Sequence, residues 1–118
     1  MKLSLELTYL SSPEWVDCVI GNFNDFLQDH ADCERKASAM AMSFIAKCPD
    51  RTDIIPQLIE TAIEELEQFQ QVYDIMKNRG VSLKPEMAQD AYIAQLITNC
   101  RSGRDERLMD RMLIASIV

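Results

Sequence analysis

Two glutamates stand where a folded chain ordinarily puts apolar side chains. Stepping by three and four residues between Asp53 and Asn78 gives Ile55, Leu58, Ala62, Glu65, Phe69, Val72 and Met76, a stripe whose central member is a carboxylate. The preceding stretch repeats the pattern in Phe23, Leu27, His30, Glu34, Ala37, Ala41, Phe44 and Cys48, with His30 one turn before Glu34. A stripe of this period faces the core of a helical protein, and an ionised carboxylate there is costly unless something satisfies it. Two that face each other need a shared proton, basic partners or a cation. Gln68, three residues after Glu65, adds a carbonyl oxygen that can coordinate a hard cation, though without the affinity of an imidazole for iron. Spacing alone leaves metal binding or proton sharing open beside a structural ion pair with Arg or Lys. His30 reads as a hydrogen-bonded core histidine, with the fixing of Glu34 as an intermediate role and direct ligation as the alternative.

These residues need two long helices to position them. The first is predicted from Asn22, as cap, to about Lys47, with Asp25 in its first turn. The second is predicted from Asp53, as cap, to Asn78; Pro56 then falls where a missing N–H leaves no intrahelical bond unmade, and Gly80 is the left-handed stop. The connection Pro49 to Thr52 is short, so the helices lie antiparallel. Glu34 then lies about 13 residues before the turn and Glu65 about 11 after it, which at about 1.5 Å per residue puts the carboxylates within roughly 3 Å of the same depth. A carboxylate on each of two antiparallel helices, with a further candidate ligand three residues after one of them, is half of the di-metal site of ferritin-like bundles. The expected fold is therefore all-α, two long antiparallel helices plus shorter ones.

The rest of the chain is shorter punctuation. Leu3, Leu5, Leu7 and Leu10 are expected to pack as a lead-in, because a lone strand over LSLELTYL would have nothing to pair with. Ser12-Pro13-Glu14 opens a short helix carrying Trp15, Val19 and Ile20 that stops at Gly21. After a connector from Val81 to Lys84, Pro85 is expected to open a fourth helix with Met87, Ala88, Ala91, Leu96 and Ile97 on its apolar side. Ser102-Gly103 breaks it, and a fifth helix from about Asp105 is expected to bury Leu108, Met109, Met112, Leu113 and Ile117. Met40, Met42, Met109 and Met112 read as core filler. The run from Leu113 to Val118 carries no stop signal, so it is expected to dock into a core or to continue in a longer protein. There is no internal repeat.

Composition excludes several classes. One domain of 118 residues with 47% hydrophobic residues can bury a core, and no run is long enough to span a membrane. The start, MKLSLELTYL, has no small-residue cleavage site and does not read as a signal peptide. A net charge of −7 gives no general pull on phosphate backbones, so RNA contact needs a local basic patch. The candidates Arg101, Arg104, Arg107 and Arg111 interleave with Asp105, Glu106 and Asp110 and read as a solvated mixed-charge face. Four cysteines (Cys18, Cys33, Cys48, Cys100) without a CxxC pair, and a single histidine, argue against structural zinc and for a reduced, cytoplasmic protein. No nucleophile–base arrangement or Gly-rich phosphate loop is present.

Three ordered segments carry a family resemblance. Asp29-His30-Ala31-Asp32-Cys33-Glu34-Arg35-Lys36-Ala37 resembles the DHxxCExKA segment of the bacterial tRNA hydroxylase family MiaE. Glu64-Glu65-Leu66-Glu67-Gln68-Phe69 is similar to its EELxHx segment, and Lys77-Asn78-Arg79-Gly80-Val81-Ser82-Leu83 to its KxRGxxL. The resemblance spans about residues 13–118. It implies a ferritin-like bundle, a non-haem di-iron site and the O2-dependent hydroxylation of the isopentenyl group of a methylthiolated adenosine beside the tRNA anticodon. By the same resemblance Glu34 and Glu65 match iron-ligand glutamates, and Gln68 stands where the family has a ligand histidine. The family's other glutamate and its second Glu-x-x-His lie beyond Val118. The chain is accordingly expected to be the N-terminal part of a longer fold and to be impaired in catalysis as it stands. The alternative is a non-catalytic helical module that binds a protein partner or itself, two copies joining their unfinished bundles about a two-fold axis.

Overall fold

The computed structural model describes residues 8–87 and 89–117. The expectations for Leu3, Leu5, Leu7 and Ala88, and for the side chain of Ile117, lie outside the described residues. Among the described residues the regular structure is entirely helical: α1 (Glu14–Gly21), α2 (Phe23–Lys47), α3 (Ile55–Asn78), α4 (Ala91–Thr98) and α5 (Arg104–Ile117). The chain is an all-α bundle in keeping with the ferritin-like class, built on the antiparallel pair α2 and α3. Among the described residues no helix is long and apolar enough to cross a membrane.

The two stripes predicted from the sequence face each other. Leu27, Ala31, Val72 and Met76 form one buried cluster, with Phe23, Phe69, Val81 and Leu83 packed on it; Phe44, Cys48, Leu58 and Leu108 form a second at the other end of the pair. Between them the Ser38 hydroxyl donates to the Ala62 carbonyl at 3.0 Å, tying α2 to α3 at mid-length and fixing their register.

The helix ends differ from expectation where a competing partner wins. Asp53 does not cap α3. Its carboxylate accepts from Arg51 Nε at 3.1 Å and Nη2 at 3.0 Å, and the helix begins after Ile54 with no side-chain cap. Asn22 holds the cap position of α2, but its amide donates back to the Cys18 carbonyl at 2.9 Å and closes α1 instead. Gly80 adopts φ 71°, as predicted, and the Val81 N–H reaches back to the Met76 carbonyl at 2.8 Å in a Schellman closure. Pro85 does not open α4. Proline sets φ but offers no acceptor to the first-turn N–H groups, whereas Asp90 Oδ1 accepts from Tyr92 N at 2.9 Å and Ile93 N at 3.1 Å, so the helix starts at Ala91.

The bundle is open. The chain exposes 9371 Å², against roughly 6,500 Å² for a compact chain of its mass. Its radius of gyration is 16.5 Å, against roughly 13 to 14 Å for its length. Ile59, Ile63 and Leu66 on α3 and Met42 on α2 are about half exposed, and so are Met109 and Leu113 on α5. Met42, Met109 and Leu113 therefore do not fill the core as predicted. On α5 it is Leu108 that turns into the second cluster, with Met112 packed beside it, while Met109 and Leu113 stay exposed. Leu10 is likewise exposed rather than packed, and α1 buries none of its residues.

Candidate metal centre

Glu34 and Glu65 meet at the middle of the α2–α3 seam, a turn from the Ser38–Ala62 bond. Glu34 is 8% exposed and Glu65 half-buried. The Glu65 carboxyl hydrogen-bonds Glu34, and that bond, followed by burial and by the neighbouring negative charge, pushes it up to about 7. Two carboxyl groups in one pocket cannot both ionise cheaply, so they hold a proton between them and titrate as a pair.

The surroundings orient Glu34. His30 Nε2 lies 3.2 Å from Glu34 Oε1, an ion pair when the imidazole is protonated. The ring is itself held by stacking on Phe26, with centroids 5.6 Å apart, and Trp15 of α1 meets Phe26 edge-on at 6.4 Å. Gln68, one turn beyond Glu65, also turns to Glu34. With its amide nitrogen inward it donates to Oε1 at 3.3 Å and Oε2 at 3.2 Å; the opposite orientation would set carbonyl oxygen against carboxylate oxygen. All four predicted site residues, Glu34, Glu65, Gln68 and His30, are thus brought together.

A second polar group escaped sequence reasoning. Gln28 and Asp32 are buried on α2 beside the stripe: Gln28 Nε2 donates to Asp32 Oδ1 at 3.2 Å, Arg35 Nη2 donates to the same oxygen at 2.6 Å, and Lys84 N donates to Gln28 Oε1 at 3.2 Å. This chain of bonds pins the segment after α3 onto α2. Arg35 therefore serves Asp32, and its Nε is buried with no partner among the described residues. The only sequence signal was the i, i+4 and i+3 spacing. Two of the four basic candidates of the last third are engaged by acids: Arg101 pairs with Asp110 at 2.9 Å and Arg104 with Asp50.

The residues do not by themselves fit a pair of iron ions. Such a site takes a glutamate from each of two helices and a Glu-x-x-His from each of two more. The seam supplies two carboxylates, one sharing a proton with the other, and a carboxamide facing inward with its nitrogen. Among the described residues no group of three or more His, Cys, Asp or Glu side chains is placed to hold a metal. What the arrangement does alone is hold and share a proton.

The family model described as tRNA-(MS[2]IO[6]A)-hydroxylase (MiaE) matches residues 4–118. The tRNA 2-(methylsulfanyl)-N(6)-isopentenyladenosine(37) hydroxylase of Pseudomonas putida is 33% identical over 104 residues, covering 88% of this chain and 50% of the relative. The chain spans about half the length of the curated relative it matches.

Proposed function

The chain belongs to the MiaE family, and from that membership we propose that it forms one side of a tRNA hydroxylase acting on the isopentenyl group of a methylthiolated adenosine next to the anticodon. The observation that carries the reading is the Glu34–Glu65 pair, a buried carboxylate hydrogen-bonded to a half-buried one between two antiparallel helices. In this reading the two glutamates are carboxylate ligands of a di-iron centre, Gln68 stands at the third ligand position, and His30 holds Glu34 in place. The other ligands come from helices outside this chain, which also cover the exposed face of Ile59, Ile63 and Leu66. Iron held there would supply the oxygen chemistry; the part of this chain is to position the carboxylates. With tRNA as substrate, the protein works in the cytoplasm.

The test supplies what is absent. The chain is co-produced with the uncovered half of the Pseudomonas putida relative in a host whose tRNA carries the unhydroxylated nucleoside. Tandem purification shows whether the two parts associate, and mass spectrometry of digested tRNA reads the product. The reading expects a nucleoside one oxygen heavier that disappears with Glu34→Ala or Glu65→Ala. Associated parts that leave the nucleoside unchanged would overturn it. Sedimentation of the chain alone separates this from self-pairing, for which a stable dimer would be required.

A further inference from the structure

Glu34 is already engaged by donors belonging to this chain. With its amide nitrogen turned inward, the orientation that avoids setting oxygen against oxygen, Gln68 spans the two oxygens at 3.3 and 3.2 Å, and His30 Nε2 approaches Oε1 at 3.2 Å from its own helix. An incoming cation would have to displace these contacts. It would also meet the wrong end of the carboxamide, since an amide nitrogen has its lone pair delocalised into the carbonyl and is a donor, not a ligand for a hard ion. The exposure of Gln68 matters here. Its amide can turn end for end without repacking, and only after that turn does a carbonyl oxygen face the pocket.

We infer that Gln68 takes the place of a cation in this chain: its N–H group binds Glu34 and closes the pair as a hydrogen-bonded cluster, so the chain alone holds Glu34 and Glu65 together without metal. Metal capture is then coupled to reversal of the Gln68 amide and waits for ligands from outside the chain. The inference rests on the assignment of Glu34 and Glu65 given above and concerns the same site before it is completed. Gln68 is a positioning residue for Glu34.

The test uses the whole chain, stripped with chelator and titrated anaerobically with ferrous ion alone, read by calorimetry and by thermal melting. The wild type is expected to take up no stoichiometric iron and to melt at the same temperature with and without it. Gln68→His, which puts an imidazole at that position, is expected to bind ferrous ion at least tenfold more tightly than the wild type. Gln68→Met, equal in length but without donors, is expected to lower the metal-free melting temperature. A readout that needs no folded variant of Gln68 is its side-chain amide signal in nitrogen-15 NMR, which is expected to shift on Glu34→Gln. Stoichiometric iron on the wild type overturns the inference while leaving the family reading intact. Equal iron affinity of wild type and Gln68→His, an unaltered melt in Gln68→Met, or an amide signal indifferent to Glu34→Gln also overturns it. Hydroxylation that survives Glu34→Ala in the two-part assay would instead defeat the family reading and leave the metal-free cluster untouched.

Discussion

Glu65→Gln should make the protein more stable at pH 8 and change little at pH 5. Glu65 is an acid whose folded-state value is raised from 4.5 to about 7, chiefly by its bond to Glu34. Below about pH 4.5 the folded and unfolded chains both carry the proton, and the group contributes no difference. Between 4.5 and 7 the unfolded chain releases it first, so stability falls as pH rises, and above 7 the loss is complete. At about 1.4 kcal/mol per pH unit the full shift would be worth roughly 3 kcal/mol. Solvent reaches this half-buried carboxyl, and screening reduces the figure to about 1 to 2 kcal/mol. A glutamine amide keeps a donor toward Glu34 and carries no charge, so it reproduces the protonated acid at every pH. Melting curves of wild type and variant from pH 5 to 8.5, in chelator, should diverge with rising pH by about 4 to 8 °C, at roughly 4 °C per kcal/mol. Parallel profiles, or a variant less stable by the same amount throughout, would refute the reasoning.

Other perturbations probe the frame around the pair. Met76, fully buried where α3 meets Leu27 and Ala31, should cost about 3 kcal/mol on substitution by Ala, seen as a lower urea midpoint with unchanged slope. Asp90→Ala removes the acceptor for Tyr92 and Ile93 N–H. It should weaken α4 by about 1 kcal/mol, with faster hydrogen exchange at those amides and none of the change in α2 or α3.

What the sequence disclosed was whatever depends on local period and on a short connection. Leu58, Ala62, Glu65, Phe69, Val72 and Met76 do form one seam, with Ile54 rather than Ile55 packed at its start, and because the link between the long helices leaves little freedom of register, the sequence already places Glu34 opposite Glu65. What stayed hidden depends on partners that sequence does not rank. Asp53 was a sound cap until Arg51, two residues away, took its carboxylate. Pro85 offers no oxygen to the first-turn N–H groups of α4, and Asp90, which does, stands five residues further on. The Gln28–Asp32–Arg35 group is legible only once Lys84 folds back across it from far along the chain. The Gln68 amide orientation is set by Glu34 on the neighbouring helix, and a helical period predicts that Met109 and Leu113 are apolar on one side but not whether anything lies against that side.

The claim beneath all of this is that two carboxyl groups from separate helices occupy one pocket. A carbon-13 NMR titration of the glutamate side-chain carboxyls in metal-free protein reads it directly. Glu65 is expected to titrate near pH 7 in the wild type and to return toward the ordinary carboxylate range in Glu34→Ala. A Glu65 that titrates near 4.5 in the wild type, indifferent to Glu34, would contradict the account.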